Sequence, residues 1–331
     1  MGSTWTPEKV LELARDHQPS CVLATAADWD VFTALRAQPR SADELAGELH
    51  VDARGLTVLL DALTAMSLLH KVDGRYSVPP DVADLLARDG ERSVLPMIQH
   101  QANCLRRWAQ LARVVQTGMP ADDVGSVRGP AADREAFIGA MHTICKPVAD
   151  EVIADLGPRP FRHLLDIGGA SGTWTITWLR AVPGATATLF DLPEVVPLAA
   201  RRLVEEGLAD RVTLVPGDFE TDELPAGADL AWLSAICHQN SRAQNRALFG
   251  RIHRALAAGG TLFVRDVVMD DTHTQPVGGA MFAVNMLVAT PGGSTYSLAE
   301  YSEDLQAAGF ANPTLCRSDP WMNAVIRADR V

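Results

Sequence analysis

The stretch His163-Leu164-Leu165-Asp166-Ile167-Gly168-Gly169-Ala170-Ser171-Gly172, followed by Ala185-Thr186-Ala187-Thr188-Leu189-Phe190-Asp191, decides the fold. The first segment reads as a short apolar strand running into a glycine-rich turn. The second reads as the next strand, closed by a carboxylate. A glycine-rich turn lets backbone N–H groups come close to a ligand. An acid about 20 residues further along suits the hydroxyls of a ribose, and Asp191 stands 19 residues after Gly172. Together they predict a site for a nucleoside-containing cofactor.

The turn narrows the choice. A dinucleotide site uses G-x-G-x-x-G, but Ala170 occupies the place of the second glycine. The loop is Asp-x-Gly-Gly-x-x-Gly, with Asp166 ahead of the glycines. A nearby carboxylate repels a pyrophosphate and attracts a ligand carrying an ammonium and a sulfonium centre. S-adenosylmethionine carries both, so the loop favours it over NAD.

Working outward, strands and helices alternate beyond Phe161, with strands expected over 163–167, 186–191, 211–216, 228–236 and 260–269. Such alternation implies a doubly wound parallel sheet, an α/β fold of Rossmann-like type. The tail differs. Thr314-Leu315-Cys316-Arg317, a Ser318-Asp319-Pro320 turn and Asn323-Ala324-Val325-Ile326-Arg327 read as a terminal antiparallel hairpin.

Residues 1–92 read as a helical domain with one hairpin. Ser41-Ala42-Asp43-Glu44 carries a capping box before Leu45. The next helix, opened by Val51-Asp52-Ala53-Arg54, sets Leu56, Leu59, Leu60 and Leu63 on one face. Asp73-Gly74 is a two-residue hairpin turn. Helices plus hairpin give a winged-helix pattern. The second helix sets Arg54 against Asp52 and Asp61, so it lacks a basic face for DNA. Residues 93–155 read as a helical linker in which Leu105, Trp108, Leu111 and Val115 share helical spacing. The third domain spans 156–331.

Composition limits the partners. A chain of 331 residues suggests about two domains, and 47% hydrophobic residues are enough to pack them. A net charge of −12 argues against nucleic acid and against anionic membranes. No apolar run reaches transmembrane length, and the N-terminus lacks a basic-then-apolar signal. Cys21, Cys104, Cys145, Cys237 and Cys316 are scattered without a C-x-x-C pair, as expected for reduced thiols in the cytoplasm and not for a disulfide or zinc framework. No metal site is expected, because no repeated ligand spacing occurs.

Nearly the whole chain resembles the two-domain small-molecule O-methyltransferases of plants and of bacterial natural-product pathways. The resemblance rests on Asp166-Ile167-Gly168-Gly169-Ala170-Ser171-Gly172, Phe190-Asp191-Leu192-Pro193, Gly217-Asp218-Phe219 and Pro291-Gly292-Gly293. It implies a dimerisation role for the N-terminal domain, hence a homodimer, and a small-molecule substrate. It further implies that Asp166, Gly168, Gly169 and Gly172 face the methionine part of S-adenosylmethionine, and that Asp191, with Leu192 beside it, receives the ribose hydroxyls. Asp218 and Phe219 would border the adenine. Ser234 occupies the position of a lysine among the cofactor contacts.

His238, after the fourth strand of the sheet, matches a general-base histidine, and Asp266 at the end of the fifth matches the acid that orients it. A neutral imidazole can take a phenolic proton near pH 7. The chain departs from the family at Gln239-Asn240, where Asp-Trp is usual, and at Thr295, where a second acid is usual. Trp108, Phe137, Met141 and His142 would form one wall of a substrate pocket. Met281, Phe282, Asn285 and Met286 would form the other; such a lining suits a flat aromatic ring. The expected activity is O-methylation of an aromatic secondary metabolite, releasing S-adenosylhomocysteine. C- or N-methylation, or a non-methylating relative, keeps the same fold. A winged-helix regulator with a ligand-sensing α/β domain is the reading from another class.

Overall fold

A computed structural model describes residues 4–157 and 159–331. The chain divides into two compact units, Met1–Arg106 with Asp123–Thr143, and Arg107–Asp122 with Ile144–Val331.

The first unit is mainly helical. Strands β1 (Arg40–Ser41), β2 (His70–Val72) and β3 (Arg75–Ser77) form an antiparallel sheet in the order β1-β3-β2. The β2–β3 turn is Asp73-Gly74, both at positive φ as a tight hairpin demands. Ser41 and Glu44 form the expected capping box on the Ala42–Leu49 helix. Leu56, Leu60 and Leu63 of the Ala53–Ala65 helix are buried with Phe32, Leu45 and Tyr76. The Tyr76 hydroxyl donates to Asp61 Oδ1 at 2.7 Å, so this buried ring is not left with an unpaired polar end.

The second unit is built on a seven-stranded sheet. Its strands are β4 (His163–Ile167), β5 (Thr186–Asp191), β6 (Val212–Pro216), β7 (Ala228–Ser234) and β8 (Leu256–Asp266), then, past a short pair, β11 (Ala311–Arg317) and β12 (Ala324–Asp329). The short pair, β9 (Val268–Met269) and β10 (Tyr296–Ser297), is parallel and separate. The order in the large sheet is β11-β12-β8-β7-β4-β5-β6. β12 runs antiparallel to both β11 and β8, and β11 with β12 forms the expected terminal hairpin.

This order positions the site. From β4 the chain moves outward through β5 and β6, then returns to lay β7 on the other side of β4. The connections after β4 and β7 therefore diverge, and a crevice opens at the carboxyl ends of these two strands. One face of the sheet is packed by Trp174, Trp178, Trp232 and Phe263, the other by Leu165, Ile167, Phe190, Leu233 and Val264.

Several boundaries differ from the sequence expectation: β6 starts at Val212, one residue late, and β7 ends at Ser234, two residues early. The strand expected over 260–269 begins at Leu256 and ends at Asp266. The pairing passes from Ala228↔Leu256 to Leu230↔Thr261, so extra residues bulge around Gly259, at φ +76°, and Gly260. The linker helix is broken into Leu95–Trp108 and Leu111–Thr117, and Val115 is exposed. The Gln110 side chain holds the break, donating to the Asp122 carbonyl and accepting from its N–H, both at 2.9 Å. Among the described residues no helix is long and apolar enough to cross a membrane.

Candidate active site

The loop after β4 needs its glycines for space and for backbone. Gly168 and Gly172 have φ of +67° and +80°. A Cβ on Gly169 would lie 2.5 Å from Leu189 Cγ, inside contact distance. Ala170 is itself left-handed at φ +49°, a conformation a non-glycine residue holds only when its surroundings enforce it. Here the enforcing contact is with Asp191, whose Oδ2 accepts from Ala170 N at 2.7 Å. Asp191 Oδ1 accepts from Leu192 N, also at 2.7 Å. Burial pushes the Asp191 carboxyl up, opposed by these two hydrogen bonds.

Asp166 lies behind the loop. It is 1% exposed, and its Oδ2 accepts from Thr175 Oγ1 at 2.5 Å. Burial, with Asp191 nearby, pushes its carboxyl up to about 7. The carboxylate thus joins the end of β4 to the Thr173–Ala181 helix that the loop opens.

Asp218 and Phe219 follow β6. Asp218 Oδ1 accepts from Glu220 N at 2.8 Å, which shapes the turn. Arg251 donates twice to the Phe219 carbonyl, at 3.1 and 2.8 Å. The Phe219 ring reaches to 3.6 Å, and Ile236 to 2.8 Å, of where a Gly168 Cβ would be. Bare backbone, a flat ring and a carboxylate with free lone pairs therefore meet at the crevice. That donor set fits the parts of S-adenosylmethionine: the carboxylate a diol, the ring an adenine, the bare loop the close approach of a charged chain.

The second half of the crevice follows β7. Ala235 turns the chain at φ +59°, and Cys237–Gln239 form one 3-10 turn. His238 Nδ1 lies 2.8 Å from Asp266 Oδ1, and His238 N donates to Asp266 Oδ2 at 3.2 Å. Val267 N also donates to Asp266 Oδ1, at 2.8 Å. The carboxylate is an acceptor, so in the neutral ring the tautomer it favours has the proton on Nδ1 and the lone pair on Nε2. The Phe282 ring meets the imidazole edge-on, centroids 4.8 Å apart. Beneath it the Pro291-Gly292-Gly293 turn packs so closely that a Gly293 Cβ would be 2.4 Å from the His238 carbonyl.

At the three positions where the sequence departs from the family pattern, the side chains bond to neighbouring groups of the protein. Gln239 donates to the Ala235 carbonyl at 3.2 Å, Asn240 donates to Asn245 at 3.2 Å, and Thr295 donates to the Gly279 carbonyl at 3.3 Å. Ser234 accepts from Arg265 Nη1 at 2.9 Å. Arg265, 2% exposed, also donates twice to Asn323 Oδ1 and lies over the Trp174 ring at 4.5 Å. The sequence expectation did not include Arg265, Thr175 or the left-handed turn at Ala235, and it named Ala170 only as a departure from the dinucleotide motif; an arginine next to the end of an apolar strand was the available signal.

The expected substrate residues fall into groups. Phe282 rests on His238, and Trp108 Nε1 donates to Asn285 Oδ1 at 2.9 Å. Met286 is buried, while Met281 is 52% exposed. Phe137, Met141 and His142 belong to the first unit, where Phe137 packs on His100.

Comparison with known proteins matches this geometry. An O-methyltransferase domain model covers residues 118–311, and an O-methyltransferase dimerisation domain model covers residues 11–89. The chain belongs to the O-methyltransferase family, and it is an S-adenosylmethionine-dependent methyltransferase. It is 30% identical to the 3-hydroxy-5-methyl-1-naphthoate 3-O-methyltransferase of Streptomyces sahachiroi, over 97% of this chain and 94% of that one. It is 31% identical to the tetracenomycin polyketide synthesis 8-O-methyltransferase TcmO of Streptomyces glaucescens, over 92% of each. Among solved structures, human N-acetylserotonin methyltransferase in complex with S-adenosylmethionine aligns with a TM-score of 0.80 at 25% identity, over 100% of this chain and 99% of that one.

Proposed function

We propose that the enzyme methylates a phenolic hydroxyl of an aromatic natural product, with His238 as the general base and Asp266 as its positioning partner. The 2.8 Å contact between His238 Nδ1 and Asp266 Oδ1 carries this reading. It holds the imidazole in the tautomer that can receive a proton at Nε2. Relatives named for naphthoate and tetracenomycin support the aromatic substrate.

S-adenosylmethionine supplies an electrophilic sulfonium methyl that needs no further activation. The chain's task is to align acceptor and donor and to exclude water. Asp191, with Leu192 beside it, receives the ribose hydroxyls, Gly168, Gly169 and Gly172 admit the methionine end, and Asp218 and Phe219 border the adenine. His238 Nε2 accepts the phenolic proton as the oxygen attacks, and Asp266 stabilises the imidazolium that forms. Phe282, Asn285 and Trp108 flank the acceptor, with Met281 and Met286 on the same helix as Phe282. The enzyme works as a homodimer through residues matched by the dimerisation model. Five unbridged cysteines suit a reducing compartment, the cytoplasm.

Replacing His238 with Ala tests the base. Affinity for S-adenosylhomocysteine should persist while turnover on a phenol such as 2-naphthol falls at least about a hundredfold. Turnover equal to wild type would overturn the assignment.

A further inference from the structure

Trp321 sits in the turn between β11 and β12 and is 61% exposed. A large apolar ring held open to solvent marks a contact surface more often than an accident when other apolar groups adjoin it. Val277 and Met281, at 62% and 52% exposed, lie on the helix beside it.

The ring is held in place. Its six-membered portion rests on Gly278, where a Cβ would be 2.6, 2.7 and 2.9 Å from Cζ3, Cη2 and Cε3. Glycine is therefore required at 278 for the ring to lie where it does. The backbone is pinned as well. Asp319 Oδ1 accepts from Trp321 N at 2.8 Å and from Asn323 N at 3.3 Å. Asp319 Oδ2 accepts from Arg317 Nη1 at 3.0 Å, and Arg317 is tied to Glu151 and Asp155.

Gly278 shares its helix face with the site. Positions 278, 282 and 285 are four and three residues apart on the Val277–Ala289 helix, so they lie in one row. Trp321 covers the first, Phe282 meets the His238 ring from the second, and Trp108 binds Asn285 at the third. The row is about 10 Å long at the rise of a helix. One aromatic ring fills part of that length; fused rings fill more of it.

We propose that Trp321 is a specificity-determining residue: with Phe282 and Trp108 it forms an aromatic row that selects elongated fused-ring phenols over single-ring ones. This rests on the methyl-transfer reading above, and it names the substrate class of that site. The indole takes the ring of the acceptor farthest from Trp108, leaving the reacting hydroxyl at His238.

The test compares catechol with a fused three-ring phenol, 2-anthrol, by calorimetric titration of wild type, Trp321→Ala and Trp321→Phe. Titrations run with and without saturating S-adenosylhomocysteine, so the phenol result stands apart from the cofactor result. Trp321→Ala should weaken 2-anthrol about tenfold, leave catechol unchanged, and be largely rescued by Trp321→Phe. Because the ring is exposed, thermal stability should hold. Equal effects on both phenols, no effect on either, or failure of the wild type to bind 2-anthrol would each overturn the proposal. So would a Trp321→Ala variant whose affinities are intact and whose oligomeric state has changed, which would assign the indole to an interface between copies.

Discussion

His238 Nδ1 and Asp266 Oδ1 approach to 2.8 Å from two sequence positions 28 residues apart, because β7 and β8 are hydrogen-bonded neighbours that end at the same edge. Asp266 is 1% exposed and receives three hydrogen bonds, from the ring and from two backbone N–H groups. With Thr295 turned to Gly279, Asp266 is the carboxylate that holds this imidazole.

Replacement of Asp266 by Asn should therefore disturb the tautomer without emptying the space. Turnover is expected to fall at least about tenfold, with affinity for S-adenosylhomocysteine unchanged. Steady-state kinetics beside calorimetry separates the two effects; a variant that turns over like wild type would show that the contact is only structural.

Asp166 predicts a pH dependence of unusual sign. Its folded-state pKa, about 7, lies above the ordinary carboxylate value of 3.8. Between those two values the folded state holds more protons than the unfolded state, so this group costs stability as pH rises. Asp166→Asn should still accept from Thr175 and abolish that dependence. Relative to the variant, wild type should lose stability from about pH 4 to about pH 7, by a few kcal/mol at most since each pKa unit is about 1.4 kcal/mol. Denaturant melts at both ends of the window check this, and a constant difference would contradict it.

Arg265 has no carboxylate within hydrogen-bonding distance among the described partners; Ser234, Asn323 and the Trp174 face hold it. Desolvation lowers its pKa. Lysine cannot reproduce the fork on Asn323 or stack flat on the indole. Arg265→Lys should lower stability by roughly 2 kcal/mol or more, because the partly buried Ser234 and Asn323 oxygens lose their guanidinium donors. A thermal midpoint within a degree of wild type would show that the site adapts.

These residues also mark what could be read from the chain alone. Strands 163–167 and 186–191 were legible to the residue, because parallel strands buried on both faces are short apolar runs cut off by glycine or a carboxylate. The start of β8 was not, since the bulge at Gly259-Gly260 interrupts pairing without interrupting hydropathy. His238 and Asp266 were found by resemblance; their contact depends on strand order. The Arg265–Ser234–Asn323 group joins positions 31 and 58 residues apart, which no local period reports. Met281 and Met286 shared one helical pattern, yet one is exposed and the other buried.

The most direct measurement is calorimetric titration of S-adenosylhomocysteine into wild type, Asp191→Ala and His238→Ala. Wild type and His238→Ala should bind alike, and Asp191→Ala should bind at least about tenfold more weakly, as expected for loss of hydrogen bonds to a charged acceptor. Equal affinity in all three would contradict the account, because the carboxylate at the end of β5 would then not be holding the cofactor.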